Sequence, residues 1–237
     1  MRSKLFHKVL AAGTVLAAAT VLVVHPATLE GQQTGSVTGT VRVAKVPAAA
    51  APAKVPRQTE VCGTSVEAGD VVTGRDGTLG GAVVWLEGVA KRAGVRPRDI
   101  TLDQQRCRFL PRIQTATVGA NVSLTSRDAV LHNVHGFLGE RTIFNVAIPV
   151  AGMTIRKPLS EAGHVHFRCD AGHTWMAAHI QVFDHPYHMA TATDGAFRIP
   201  DVPPGSYRLR SWHERLGEKT TPVTVAAGQA ANLTVQY

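Results

Sequence analysis

The sequence has few aromatic residues, few cysteines and no block of basic residues. Aromatic side chains make up 5% of the 237 residues. Beyond residue 27, no stretch longer than about ten residues has helical periodicity, which argues against a helical bundle. The 25 Lys and Arg residues outnumber the 17 Asp and Glu residues and give a net charge of +8. The basic residues never form a run of about five, so we expect no nucleic-acid binding. Neither a Ser-His-Asp order nor a pair of carboxylates stands out, so we do not expect this protein to be an enzyme.

The first 27 residues have the pattern of a targeting segment. MRSKLFHK provides a positive flank, and residues 9–24 (VLAAGTVLAAATVLVV) form an uncharged apolar run. Signal-peptide cores take roughly 7–15 residues and membrane spans roughly 20, so the run lies between the two. We therefore predict a signal peptide or an N-terminal anchor at 1–27. The rest of the chain would be periplasmic or extracellular, with membrane contact only through an uncleaved anchor.

The remainder of the chain has the pattern of short strands separated by turns. Glycine (22) and proline (13) are plentiful. Runs such as RIQTATV, NVSLTS, HVHFRC and AAHIQVFD have strand length, and turn residues recur about every ten residues, as in β-sandwiches and barrels. We divide the chain into an N-terminal β segment at 34–100, a central domain at 101–185 and a C-terminal domain at 186–237. The first segment is either independent or a part of the C-terminal sandwich.

The three cysteines leave one thiol without a partner, because an odd number cannot all pair. Cys62 and Cys107 both have turn-like polar surroundings and can form a disulfide in an exported protein. Cys169 would then be free. A free thiol in an oxidising compartment needs a reason to persist, and metal ligation would supply one.

The surroundings of Cys169 are rich in metal-binding side chains. HFRCDAGHTWMAAH (166–179) places Cys169, His173 and Met176 on a predicted loop between two strands. A thiolate, two imidazoles and a distant thioether are the ligands of a blue-copper centre. LHNVHGF (131–137) offers His132 and His135 as candidates for the second imidazole. Asn133 can reach the cysteine loop and connect the two ligand segments.

These motifs resemble the cupredoxins, and amicyanin most closely. HNVH, followed about 35 residues later by a strand and then Cys, His and Met, carries the resemblance, together with SEAGHVHFRC before the loop. It covers roughly residues 105–185. It implies a Greek-key β-sandwich that holds one type 1 copper per chain, with His132, Cys169 and His173 as equatorial ligands and Met176 as the weak axial ligand.

Two features qualify the resemblance. The loop has Cys-x3-His-x2-Met spacing, one residue longer between Cys and His than amicyanin-like loops, which bears on the type of copper site. His135 matches a family position that is not usually a ligand. His164 and His166 share one strand face, as zinc ligands sometimes do, but we expect a structural or solvent-facing role for both.

The C-terminal sequence resembles a second family, the carboxypeptidase regulatory-like domain, which is related to transthyretin-like and carbohydrate-binding-like sandwiches. TDGAFRIPDVPPGSYRLRSWHE carries this resemblance, and TGSVTGTVRV resembles the first strand of the same domain. It implies a scaffold or binding surface without catalytic residues. Tyr207 and Trp212 either fill the core, which we favour, or stack on a sugar. The predicted fold class is thus all-β, with a cupredoxin sandwich and a second, smaller sandwich.

The resemblances together imply an exported type 1 copper protein that transfers electrons to or from a redox partner protein, with His173 as the ligand nearest the surface. The alternative is a cell-envelope binding protein for carbohydrate or a protein partner, whose cupredoxin-like fold need not hold copper. A third interpretation is copper storage or delivery, assisted by the 11 histidines.

Overall fold

The computed structural model describes residues 33–67, 71, 73–92 and 94–237. These residues belong to one compact unit, Gln32–Tyr237. The leader predicted at 1–27 lies outside the described residues. In the part of the chain that is described, no helix has the length and apolar character needed to cross a bilayer.

Short strands account for nearly all the regular structure, and the prediction of an all-β fold is confirmed. Among the residues that the structure describes, one α-helix, α1 (Thr59–Cys62), and one 3₁₀ turn (Arg75–Gly77) interrupt them. The strands of the described residues are β1 (Gly35–Arg42), β2 (Ala53–Lys54), β3 (Ser65–Val66), β4 (Val83–Glu87), β5 (Ile100–Gln104), β6 (Phe109–Leu110), β7 (Ile113–Thr117), β8 (Asn121–Ser126), β9 (His132–Leu138), β10 (Arg141–Ile148), β11 (Thr154–Pro158), β12 (Gly163–Arg168), β13 (Ala177–Phe183), β14 (His188–Ala190), β15 (Ala196–Val202), β16 (Gly205–His213), β17 (Gly217–Val225) and β18 (Ala230–Gln236).

The central part of the chain forms the first sandwich. One sheet has the order β10-β9-β12-β13-β7, and the other has the order β11-β8-β5-β6. Strand β8 shows how the sequence specifies this packing, since Val122, Leu124 and Ser126 alternate inward along NVSLTS. The shared core includes Leu102, Phe167 and other fully buried apolar side chains.

The first and last strands of the described residues belong to the second sandwich. Its sheets have the orders β14-β4-β16-β17 and β15-β1-β18. Strand β1 pairs in parallel with β18 and antiparallel with β15, so the N-terminal strand lies inside the C-terminal sandwich. Strands β4 and β14 are antiparallel neighbours in this sandwich, and the chain between them builds the first sandwich. The first sandwich is therefore an insertion in the second.

Residues 34–100, which the sequence analysis groups as one N-terminal segment, are distributed over both sandwiches. β1 and β4 belong to the second. Between them the chain leaves to form β2, α1 and β3, whose Val55, Cys62 and Val66 pack in the core of the first sandwich. We call residues 53–66 the strap.

Polar side chains join the two sandwiches. The guanidinium of Arg112, before β7, donates to both carboxylate oxygens of Glu214, after β16, at 2.9 and 3.0 Å. His179 Nε2 lies 3.3 Å from the same carboxylate. Burial alone would raise the pKa of Glu214, but the bonds from His179 and Arg112 outweigh it and lower the pKa to about 2.

Candidate metal centre

Strand β9 turns His132 into the first sandwich and His135 out of it. Side chains alternate along a strand, so His132 shares the inward face with the buried Val134. His135 lies on the other face, where Nδ1 is 2.6 Å from Asp170 Oδ2 and Nε2 is 2.9 Å from Thr142 Oγ1. The alternation therefore separates the two candidate histidines, and only His132 faces the cysteine.

The loop after β12 brings Cys169 and His173 against His132. Cys169 Sγ lies 3.6 Å from His173 Nδ1 and 4.0 Å from His132 Nδ1, and the two Nδ1 atoms are 3.1 Å apart. All three side chains are at most 4% exposed. Met176, on the same loop, is 1% exposed, and its backbone N–H donates to the carbonyl of His173 at 2.9 Å.

Both histidines use their outer nitrogen for a hydrogen bond. His132 Nε2 lies 2.9 Å from Asp128 Oδ2, and His173 Nε2 lies 2.7 Å from Gln58 Oε1. Carboxylate and amide oxygens accept, so both Nε2 atoms donate, and each neutral ring keeps its lone pair on Nδ1. Two lone pairs and a sulfur thus converge on one buried point, an arrangement that a cation stabilises.

The donor set and its dimensions fit a copper ion. Metal–nitrogen and metal–sulfur bonds of about 2.0–2.3 Å in a trigonal plane place the donor atoms about 3.5–3.8 Å apart. The separations of 3.1–4.0 Å bracket this range. Two imidazoles and one thiolate with a methionine nearby are the ligands of a blue-copper site. His132, Cys169 and His173 would hold the ion, with Met176 as the axial candidate.

Burial keeps the histidines in the form that ligation requires. Desolvation lowers the pKa of His132, against the opposing effect of Asp128. Desolvation also lowers the pKa of His173, and the neighbouring His132 lowers it further. Both rings are consequently neutral near pH 7. Desolvation raises the pKa of the Cys169 thiol, while N–H groups of Asn133, Ala171 and His173 partly offset it. A bound cation would favour the thiolate.

Asn133 connects the two ligand segments. Its backbone N–H donates to Cys169 Sγ at 3.4 Å. Its side-chain oxygen accepts from the backbone N–H of Asp170, and its amide nitrogen donates to Asn145 Oδ1 at 2.5 Å. Asn133 therefore fixes the start of β9 against the cysteine loop, which limits movement of the sulfur relative to His132.

Asp128 binds the outer nitrogen of His132, and it is not among the site residues predicted from the sequence. One oxygen of its carboxylate accepts from the backbone N–H of Arg106 at 2.7 Å and the other from that of Cys107 at 2.8 Å. Arg106 and Cys107 have φ values of 51° and 54°, and two successive left-handed residues turn both N–H groups to one side. The sequence signal is an acid four residues before a ligand histidine, which is weak alone.

The strap covers His173, and this contact is not predicted from the sequence. Cys62 in the strap forms a disulfide with Cys107, and Gln58 lies over the outer edge of the His173 ring. Trp175 packs edge-on against the same ring at 5.4 Å and donates to the carbonyl of Cys107 at 2.9 Å. As a result His173 is 3% exposed.

The other histidines named in the sequence analysis lie away from this centre. His164 Nε2 is 2.9 Å from His179 Nδ1, and Trp212 contacts both rings at the junction of the sandwiches. Burial, with the neighbouring His179 and His166, lowers the pKa of His164 to about 4. His166 stacks on Phe137. Tyr207 donates its hydroxyl to the carbonyl of Pro203 at 2.9 Å.

Comparison with solved structures finds similar chains among copper proteins and cupredoxins. The novel purple cupredoxin from Nitrosopumilus maritimus is 21% identical, with 35% of this chain and 99% of that chain covered and a TM-score of 0.31. A reduced mutant of amicyanin is 21% identical, with 42% and 97% covered and a TM-score of 0.32. The Cu-containing nitrite reductase from Thermus scotoductus SA-01 is 18% identical with a TM-score of 0.33; the alignment covers 41% of this chain but spans only 25% of that enzyme.

Comparison of sequences finds one family and no individual relative. No curated protein shows significant sequence similarity to this chain. The model of the carboxypeptidase regulatory-like domain matches residues 168–237. This match begins before the predicted boundary at 186 and includes β13, which belongs to the first sandwich. The C-terminal part of the chain thus matches the family that its sequence resembles.

Proposed function

We propose that this chain is an exported type 1 copper protein that carries electrons and is not an enzyme. The observation that carries the proposal is the convergence of His132 Nδ1, His173 Nδ1 and Cys169 Sγ within 4.0 Å of one another in a buried pocket. Copper held there would supply one-electron redox chemistry. The identity of the donors, one sulfur and two imidazoles, favours copper over hard cations such as magnesium or calcium.

The surroundings of the donors support electron transfer because they restrict movement. Asp128 holds His132, Gln58 holds His173, and the backbone of Asn133 holds the sulfur. Ligands that stay in place when the charge changes keep the reorganisation small, which is what fast electron transfer requires. The buried donors also exclude water from direct competition for the site.

We place the entry and exit of electrons at the outer edge of the His173 ring. Gln58 lies directly outside the ring. Beside it is a pocket of about 160 Å³ lined by residues 56–58 of the strap and by the 171–175 loop. The exposed Arg57 belongs to this rim. A redox partner protein would approach here, and acidic groups on it would complement Arg57.

The disulfide supports the proposed export. Cys62 and Cys107 are joined, and disulfides persist in the periplasm and outside the cell but are rare in the cytosol. The leader predicted at 1–27 would direct the chain there. We propose a periplasmic or extracellular location, soluble or anchored according to whether the leader is cleaved.

Copper titration of the purified protein tests the proposal. One equivalent of copper(II) should give an intense thiolate charge-transfer band in the visible range and a type 1 EPR spectrum, and Cys169→Ser should abolish both. A colourless protein, or a band that survives in Cys169→Ser, would refute the type 1 site. Binding of glycans by a colourless protein would favour the alternative of a cell-envelope binding protein.

A further inference from the structure

The Cys62–Cys107 disulfide lies against the same two histidines as Cys169. Its two sulfurs and a ring nitrogen of His173 all lie within 4.8 Å of one another. The Cys107 sulfur is also within 4.8 Å of a ring nitrogen of His132. Within the described residues, three sulfurs and two imidazoles therefore surround one buried region.

A disulfide that only tethered the strap would not need to lie beside these histidines. The strap already packs through Val55 and Val66 in the core of the first sandwich, so the disulfide is not the only contact that holds it there. Instead the sulfurs are at the metal pocket, with Cys62 3% and Cys107 0% exposed. Both cysteines are almost fully buried, and their sulfurs are close to imidazole nitrogen.

We propose that the disulfide is a redox-controlled second set of metal ligands. With the disulfide closed, Cys169 is the free thiol that can serve as a thiolate donor beside the two histidines. With the disulfide reduced, Cys62 and Cys107 become thiolate donors next to His173, and the pocket binds copper(I). Thiolates are soft ligands that select copper(I). The chain would then hold copper(I) more tightly in its reduced state, as a protein that stores or hands over copper needs.

A dithiol protein or small molecule would open the disulfide. Its thiolate attacks Cys62 Sγ, the bond between Cys62 and Cys107 breaks, and the bonding electron pair leaves with Cys107 Sγ as a thiolate. The second thiolate of the reductant then attacks its own sulfur in the mixed disulfide and releases Cys62. The reductant ends as a disulfide, and the chain has gained two electrons, with the protons of the dithiol passing to solvent or to the new thiolates.

A surface pocket gives the reductant a route to Cys62. The pocket, of about 410 Å³, is lined by Cys62 and Gly63 on the strap and by Arg106 and Arg108 on either side of Cys107. Both arginines are exposed. Their positive charge favours a thiolate at the leaving Cys107, which accelerates cleavage.

Competition for copper(I) tests this inference, which depends on the proposed copper chemistry of the pocket and not on electron transfer. The full-length protein is reduced with dithiothreitol, desalted without oxygen and titrated against a chromophoric copper(I) chelator. We expect reduced protein to bind copper(I) at least about tenfold more tightly than protein with the disulfide closed. The matched control is Cys62→Ser/Cys107→Ser, which also lacks the cross-link but should show no gain on reduction. Equal affinities of this variant and reduced wild type would overturn the inference.

A second readout separates this inference from the type 1 site. In Cys169→Ser, which lacks the visible band, reduction with dithiothreitol opens the disulfide, and copper(I) should then protect Cys62 and Cys107 from alkylation, as measured by mass spectrometry of the peptides. Protection in this variant supports the second ligand set even if wild type shows no type 1 spectrum. Unchanged alkylation of both cysteines at saturating copper(I) would show that the disulfide is only a tether, whatever the spectrum of the wild type.

Discussion

Gln58 Oε1 lies 2.7 Å from His173 Nε2, although the two residues are 115 positions apart in sequence. Gln58 adopts φ 60° and ψ 34°, a left-handed conformation, immediately before α1. This conformation costs a non-glycine residue roughly 1–2 kcal/mol, and such costs recur where side-chain placement matters. The strap thus places one polar side chain on the outer edge of a ligand ring.

Gln58→Ala should speed electron exchange without altering the spectrum. Removing the amide exposes the edge of His173, so small redox complexes approach the ring more closely, and we expect this gain to exceed the cost of releasing His173 Nε2 from its hydrogen bond. The visible band should persist because Gln58 is not a ligand. Loss of one hydrogen bond should lower the free energy of unfolding by about 1 kcal/mol. Stopped-flow oxidation by an inorganic complex and urea unfolding measure the two effects.

Gln114→Ala is the matched control for this prediction. Gln114 donates to the carbonyl of Thr101 at 3.0 Å on the exposed surface of the same sandwich. Its loss should leave the exchange rate unchanged. If both variants exchange electrons at the wild-type rate, the His173 edge is not the path.

Asp128→Asn should weaken metal binding at His132. The carboxylate accepts from His132 Nε2 and from two backbone N–H groups, and an amide keeps only one acceptor oxygen. The ring of His132 then loses its orientation and part of its basicity, and a loss of about 10–100-fold in metal affinity is typical of such changes. The free energy of unfolding should fall by about 1–3 kcal/mol, because a buried donor loses its partner.

Asp201→Asn provides the comparison for Asp128→Asn. Asp201 pairs with Arg92 on the surface of the second sandwich, with its side chain 61% exposed, and such pairs contribute little stability. Copper affinity, measured by chelator competition, should be that of wild type. An Asp128→Asn protein with undiminished affinity would show that the carboxylate has no role in holding the ligand.

Local patterns in the sequence predict the ligand segments well. The period-two alternation of HNVHGFL is enough to place His132 and Val134 on one face and His135 on the other, once the inward face is known. The turn in DAGHT, with Gly172 at φ 93°, predicts a loop that brings Cys169 and His173 together. These features depend on neighbours within a few residues, which the sequence displays directly.

Contacts between distant segments could not be predicted in the same way. The residues of the strap, Pro- and Ala-rich at its start, have no periodicity that indicates where they pack, and Gln58 is one polar residue among many. Likewise the pairing of β1 with β18 joins residues at opposite ends of the chain. Such contacts depend on the closure of both sandwiches. For the pairing of β1, the sequence signal was the resemblance of TGSVTGTVRV to the first strand of the carboxypeptidase regulatory-like domain.

Met176→Leu should preserve the copper band and raise the reduction potential. Leucine has nearly the volume of methionine, so the buried position should lose less than about 1.5 kcal/mol of unfolding free energy. The thioether donates more strongly to the oxidised ion than to the reduced ion, so its removal disfavours the oxidised state. Axial ligands tune the potential of such centres, and equilibrium redox titration measures the shift.

Met153→Leu is the matched control, because Met153 packs against the same core. This variant should leave the potential unchanged. Equal shifts in both variants would count against an axial role for Met176.

Protonation of His188 should destabilise the protein in mild acid. His188 stacks on Phe183 at 4.6 Å, and its Nε2 lies 3.1 Å from Thr117 Oγ1 across the two sandwiches. Burial, with a smaller effect from His185, lowers its pKa from 6.5 to about 4. Between these pH values His188 is protonated in the unfolded chain but neutral in the folded chain. The free energy of unfolding is therefore at its full value above pH 6.5 and falls as the pH falls toward 4. The loss should approach about 3 kcal/mol.

His188→Gln should make unfolding less dependent on pH in this window, because glutamine can still bond to Thr117 but does not titrate. Urea unfolding of metal-free protein at several pH values between 6.5 and 4 should give a slope lower than that of wild type by up to about 1.4 kcal/mol per pH unit. Thr117→Val removes the hydroxyl and keeps the imidazole, so it should lower stability at every pH and retain most of the wild-type slope. His164, whose pKa is also about 4, should continue to contribute to the slope in both variants. A His188→Gln protein with the wild-type slope would show that the acid sensitivity resides in other groups and that His188 is already protonated, or solvated, in the folded state.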